Sequence, residues 1–507
     1  MCDTGSAFIH SLRSSERNPY GLRTGTCQGW LHTMTSKGHP RIAWIATMRK
    51  YQILVLFLLV VTAVEAFGAS FYVRKGATGA NNGTSWTNAW NEVSQINFST
   101  VSCGDTIWLG GGVTYTTELV INKTCTSASP LTIQSVLASD AVPTTAAGYT
   151  SSLLGKVILL DQGVDIAAGA YITFGGRSGT PAGNNFGISI QCDNTAGKGG
   201  CNGIGGADAG NLSNITVSYV EVFGPPCVMT ENCGGGGASG VNVAPSNNTV
   251  NALILDHDWI HQWGEGVRTS NWSNCIIQYT DIDTTHNDGQ QHEDVIYNYA
   301  QTNFTMRFNR IWNSPNDGIF FDFGGTNGFY FYGNVYYHSG GEYIVFKGGY
   351  TNAVNIYMYN NVFEADGNGD YPNGWLDFTG ASTTSGSVQD NVFENVNSNG
   401  GASGNPPNAN YNAYSVSSYN DGGKNSFNYA PGLQFVNEPD AGSPLAANFH
   451  LTAVGAAAFA KGATESATYN LDPDGDARGT GGVWDIGAYE YMGMAPSPPV
   501  KLTGTVQ

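Results

Sequence analysis

An all-β solenoid, one chain wound into stacked coils, is the fold class this sequence predicts. Three observations lead there. Short alternating strand patterns recur, among them "FTMRFN", "FYFYGN" and "NIYMYN". An Asn-Val-aromatic core repeats in "GNVYY", "NNVFE" and "DNVFE", placing Asn334, Asn361 and Asn391 at intervals of 27 and 30 residues. The composition supplies turns, with 68 glycines, abundant Asn, Ser and Thr, and no long amphipathic helical pattern. A coil of this size leaves its strand edges unpaired, so it stacks on the next coil, about 4.8 Å away, in parallel register. The 507 residues would ordinarily suggest several domains. Repeat stacking allows a single long one.

Taken from the N-terminus, residues 1–47 show no clear pattern and are expected to be an upstream extension foreign to the native protein. "MRKYQILVLFLLVVTAVEA" begins at Met48, with Arg49 and Lys50, an apolar run from Ile53 to Val64, and Val64-Glu65-Ala66. That order predicts a secretory signal peptide over 48–66, cleaved after Ala66. The run is short for a membrane span, and no stable membrane insertion is expected after cleavage. The mature domain is expected over 67–491, secreted to an extracellular or periplasmic space, as a monomer.

In that space cysteines pair. Cys192–Cys201 and Cys227–Cys233 are expected from their short separations, and Cys103–Cys125 suits one turn of a solenoid. Cys275 sits in the strand-like "NCIIQY" and reads as a buried, inert thiol. No CxxC occurs, which argues against a zinc ribbon. "SWTNAWNEVSQIN" (Ser85–Asn97) places Trp86, Trp90, Val93 and Ile96 near one helical face, so a short N-terminal helix is expected to cap the open end of the solenoid.

The repeat extends upstream through "NRIWN", "TDIDT" and "HDWIH". An Asn at each bend can bond the neighbouring coil's backbone and side chain, so Asn334, Asn361 and Asn391 read as a structural ladder. The repeats fade after about residue 400. The Asp pattern in "LDPDGDARGTGGVWDIGAYEY" (Leu471–Tyr491) is not an EF-hand, because Ala477 stands where that loop needs Gly. Residues 492–507 are a Pro-rich tail.

"FYVRKGATGANNGTSWTNAW", "CGDTIWLGGGVTY", the Asn-Val-aromatic coils and the closing "DIGAYEY" resemble exported proteins of the pectate-lyase-like superfamily, over about residues 70–491. The resemblance implies a single-stranded right-handed parallel β-helix. Polysaccharide lyases, glycoside hydrolases, epimerases and non-catalytic surface proteins share that fold, so it does not choose among activities.

The formal net charge of −18 and the absence of a Lys/Arg cluster argue against a nucleic-acid partner. An acidic surface also repels polyanions unless a cation bridges them. A polysaccharide is the expected partner. Acidic residues recur two places before an apolar one in "GEGVRTS", "HEDVIYN", "NDGIFFD" and "GEYIVFK": Glu265, Glu293, Asp317 and Glu342, at intervals of 28, 24 and 25. In register these carboxylates would stack about 5 Å apart and share a proton or a cation. The end members Glu265 and Glu342 read as the more solvated pair. Three places after the apolar residue stand Ser270, Asn298, Asp322 and Lys347. The competing reading is that acids before Gly are ordinary turn formers.

The expected function is cleavage of a polysaccharide along a groove on the coils at 255–350. Elimination on a uronate needs a base, with Lys347, Arg268 or Arg310 as candidates. It also needs neutralisation of the carboxylate, with Ca²⁺ on Asp288, Glu293 and Asp317. Hydrolysis needs two carboxylates, Glu293 with Asp317 or Asp317 with Asp322. His292, beside Glu293, is a further acid–base candidate. Arg268, Arg310, Glu342, Trp263 and Tyr297 are the candidate substrate contacts. The superfamily resemblance favours the lyase, while the scarcity of Lys and Arg favours the hydrolase. A non-catalytic, glycan-binding or fibre-forming solenoid is the third reading.

Overall fold

Packing divides the chain into two compact units, Met1–Ala66 and Phe67–Gln507. The computed structural model describes residues 68–491, apart from 161–162, 178–185, 193–201, 207–209, 225–238, 244–246, 284–293, 315–317, 339–341, 347–350, 365–375, 395–401, 405–406, 416–420, 430–434, 438–445, 453–457 and 480–481. All of these belong to the second unit.

Each coil contributes strands to three faces. Faces A and B join into one sheet of twenty described strands, because Val164–Gly175, Ile296–Arg307 and Ile319–Tyr332 run across the corner between them. Face C is a separate sheet of twelve. Pairing in both sheets is parallel, coil on coil. Side chains that point inward meet their equivalents one coil away. Phe321 stacks on Phe346 at 4.6 Å and Phe346 on Phe378 at 4.9 Å, while Phe363, Phe393 and Tyr414 continue the pattern on face C at 5.1 and 4.8 Å. Those spacings follow the strand-to-strand distance, so aromatic stacking and backbone pairing reinforce each other.

The corner between faces B and C explains the repeated Asn. Phe308, Gly333, Asn360 and Asp390 adopt positive φ (59°, 64°, 53° and 59°), turning the chain sharply. The next residue, Asn309, Asn334, Asn361 or Asn391, turns its amide into the core. Each Oδ1 accepts the preceding coil's backbone N–H: Asn309 N to Asn334 at 3.0 Å, Asn334 N to Asn361 at 2.9 Å, and Asn361 N to Asn391 at 3.1 Å. Each Nδ2 also donates to a buried carbonyl, such as Met306 O or Phe331 O. Thr280 and Asp258 hold the equivalent places upstream. Asn412 extends the ladder downstream.

The N-terminal end is closed as expected but not by a helix. Ser85–Asn97 forms turns and one 3-10 turn, Val93–Gln95. Asn and Ser side chains satisfy the backbone locally, with Asn88 Oδ1 accepting Ala80 N and Ser85 Oγ accepting Asn88 N, and such bonds compete with a helical ladder. Trp86, Trp90, Val93 and Ile96 are nonetheless buried. The Trp86 indole donates to Pro143 O at 2.7 Å.

Cys103–Cys125 is a disulfide. Cys192 is also disulfide-bonded, and Cys201, Cys227 and Cys233 lie outside the described residues, as do the pairings expected of them. Cys275 is a buried free thiol whose pKa burial pushes up to about 12. The C-terminal segment covers the outward side of face C over the coils from Arg310 to Val392. Ile486, Ala488, Phe449 and Leu451 pack there with Tyr337, Val362 and Val392. Asp472 organises a turn by accepting the N–H groups of Asp474, Asp476 and Glu490.

Candidate functional site

The outward side of face A carries one connected polar chain. Strand register aligns Asn242, Arg268, Tyr297, Phe320 and Val345 on successive coils. Arg268 lies over the Tyr297 ring at 5.1 Å, and Tyr297 stacks on the buried Phe320 at 5.6 Å. Arg268 Nη2 donates to Tyr299 Oη at 3.3 Å, and Tyr299 Oη donates to Tyr297 Oη at 3.4 Å. Tyr297 Oη donates to Asp322 Oδ2 at 2.6 Å. Behind Arg268, Glu265 Oε2 stands 3.5 Å from Nη1 and accepts the Ser239 hydroxyl at 2.8 Å. A fixed cation and a carboxylate therefore sit on one half-buried strip, joined by two phenols.

Two members of the strip, Arg268 and Tyr297, have shifted pKa values. Burial opposes the charge on Arg268, but the Glu265 carboxylate and the Tyr299 hydroxyl outweigh it and raise its pKa. A guanidinium so held stays charged, and its fork of donors suits an anion. Burial, followed by the bond to Asp322, raises the Tyr297 phenol pKa, so Tyr297 remains a donor.

The expected acidic ladder is displaced by one residue. Val267 pairs with Ile296, not with Val295. Asp294, not Glu293, therefore stands two places before the paired apolar residue, and it is fully buried. Glu265 is also buried rather than solvated. Both are tied into the corner before face A, where Gly266 N donates to Asp294 O at 3.1 Å. Glu342 is half-buried at that corner, and its carbonyl accepts Gly318 N at 2.7 Å. Gly318 itself is required by packing, since a Cβ there would lie 2.0 Å from Tyr336 Oη. The same shift moves Asn298 from the outward strip to the interior. It is buried, paired with Thr269, and its Oδ1 accepts the Thr269 hydroxyl at 2.8 Å.

Two candidate substrate contacts lie elsewhere. Trp263 is a core residue, 1% exposed, whose indole donates to Val222 O at 3.0 Å. Arg310 belongs to face C, where it makes a two-pronged ion pair with Asp281 at 2.9 and 2.6 Å, beneath the C-terminal segment. Asp288, His292, Glu293, Asp317 and Lys347 lie outside the described residues, and with them all of the expected Ca²⁺ ligands. Among the described residues no group of three or more His, Cys, Asp or Glu could hold a metal ion. Tyr299 is the member of the strip that sequence reasoning missed. It is separated from Tyr297 by one residue in "IYNY", and strand alternation would have put both on one face.

No protein-family model matches the chain, and no curated protein does. Among solved structures, it is similar to the pectate lyase Pel9A, with 15% identity over 85% of this chain and 98% of that one, at a TM-score of 0.48. It is also similar to a rhamnogalacturonan lyase (11% identity, 64% and 87% covered, TM-score 0.37) and to a GH136 lacto-N-biosidase from Eubacterium ramulus (13%, 74% and 71%, TM-score 0.32). With its three parallel strand ladders, the chain has the right-handed parallel β-helix fold that its resemblance to the pectate-lyase-like superfamily implied.

Proposed function

We propose that the protein is an exported enzyme that cleaves a polysaccharide on the outward side of face A, by elimination at a uronate. The observation that carries this reading is the Arg268–Tyr299–Tyr297–Asp322 chain, an anion-binding guanidinium and a proton-donating phenol on one strip of a long sheet face. Arg268 would grip the uronate carboxylate, and the fork of a guanidinium matches a carboxylate with two parallel hydrogen bonds. Tyr297 would supply a proton to the departing glycosidic oxygen, with Asp322 orienting its hydroxyl. Lys347 is proposed as the base. Ca²⁺ on Asp288, Glu293 and Asp317 would neutralise the substrate's acid. The Cys103–Cys125 disulfide fits an oxidising compartment, and no helix of the described residues is long and apolar enough to cross a membrane.

Hydrolysis by a carboxylate pair is the second reading, favoured by 39 acidic against 21 basic residues. A panel of polysaccharides separates the possibilities. Unsaturated products absorbing in the ultraviolet are expected from uronate-containing glycans. New reducing ends without that absorbance would assign hydrolysis. Binding without any product would leave a non-catalytic solenoid.

A further inference from the structure

The outward side of face C holds a second constellation that this reading does not use. Register places Glu221 beside Trp259, and His261 between Phe223 and Asp283. Trp259 and His261 form the floor, 9% and 6% exposed, with their rings stacked at 3.8 Å and 12°. Glu221, Phe223 and Asp283 form a half-buried rim. Lys156 Nζ meets Glu221 Oε2 at 2.8 Å, which commits that ammonium to the rim rather than to a ligand.

Two nitrogens on the floor are unsatisfied. Trp259 Nε1 and His261 Nε2 are buried and make no hydrogen bond. His261 Nε2 lies 3.4 Å from Glu221 Oε1, close enough for attraction but without hydrogen-bond geometry. An indole N–H can only donate, so Trp259 needs an oxygen that the described protein does not supply. Leaving such a buried donor unmet is costly, and native proteins seldom do so.

The rim indicates what kind of oxygen fits. Burial would raise the Glu221 pKa, but His261, Lys156 and Ser189 outweigh it and hold it at about 2, so Glu221 stays an anionic acceptor. Burial pushes the Asp283 carboxyl up to about 7, partly offset by Asn313 and Trp312, so below neutrality it is a neutral donor. Donors, one anionic acceptor and a flat ring wall suit hydroxyl groups on an uncharged ring. A carboxylate ligand would face Glu221.

We propose that Glu221, Trp259, His261 and Asp283 form a binding site for a neutral sugar unit on face C, separate from the Arg268 strip. It does not depend on the reading of face A. The test is saturation-transfer NMR on the full chain with glucose, galactose and galacturonate as probes. Transfer to glucose or galactose is expected, exceeding that to galacturonate. It should persist in Arg268→Ala and fall at least about fivefold in Trp259→Phe, which keeps the ring and removes the donor. Glu221→Gln should weaken it as well, and melting temperatures near wild type must accompany either loss. No transfer from either neutral sugar, which would mean that water alone meets these donors, overturns the proposal. So does transfer unchanged in Trp259→Phe and Glu221→Gln, or transfer abolished by Arg268→Ala.

Discussion

Asp322 accepts its 2.6 Å hydrogen bond from a phenol whose other neighbour is the Arg268–Tyr299 pair, so a substitution there reaches the whole strip. Asp322→Asn preserves shape while weakening the acceptor. On the cleaved polysaccharide, turnover should fall by about 100-fold, the scale of a lost acid–base group, with the melting temperature near wild type. Tyr297→Phe should match it. Wild-type turnover in both would remove the strip from the mechanism. Asp283 allows a separate test by pH. Its folded pKa of about 7 lies above the unfolded value of about 3.9, so between those values the folded state holds the extra proton. Stability from this group therefore falls as pH rises through that window and levels off above about pH 7. Asp283→Asn should flatten the slope in a series of urea unfolding curves. An unchanged slope would show that Asp283 titrates normally.

Strands and corners explain why some residues are fixed and others are not. The Asn ladder joins five coils through amides that donate and accept at once, which Ala cannot do. Asn361→Ala strands the Asn334 N–H and the Phe331 carbonyl in the core. The expected loss is about 3 kcal/mol, summing two buried groups, with activity retained at temperatures where the protein stays folded. Chemical denaturation measures it, and a loss under about 0.5 kcal/mol would show that neighbouring coils repack around the gap. The acidic corner behaves differently. Its carboxylates at Glu265 and Asp294 are interior groups, so they belong with packing rather than with an open groove.

At the scale of the whole β-helix, stability depends on how the coil stack is closed. Trp86 and Trp90 plug the first coils, and the C-terminal segment covers the later coils of face C, with Ala463 N donating to Asp390 Oδ1 and Asn360 Nδ2 to Asp485 O. The Cys103–Cys125 disulfide links positions 22 residues apart near the N-terminal end. Replacing both by Ser should lower unfolding free energy by about 2–4 kcal/mol through the freed unfolded chain. Chemical denaturation of the oxidised and Ser forms checks this, and equal stabilities would show that the plug alone secures the end.

The sequence by itself determined the coil. Its period is written in Asn334, Asn361 and Asn391 because a buried amide ladder admits few other side chains, and the equivalence of Asn309, Thr280 and Asp258 was readable from the same motif. The closure of the N-terminal end was legible in its aromatics, although local Asn and Ser bonds replaced the expected helix with turns. Arg268, Tyr297 and Asp322 could be singled out as polar positions on strands, but their union could not. Which residues share a strip depends on hydrogen-bond register, and two adjacent apolar residues, Val295 and Ile296, fit the same pattern equally well. Tertiary pairing chose Ile296, and that one-residue step took Asn298 inside and replaced Glu293 by Asp294 at the corner. It likewise assigned Arg310 to an ion pair on face C and Trp263 to the core, because the partners that decide burial are supplied by other coils.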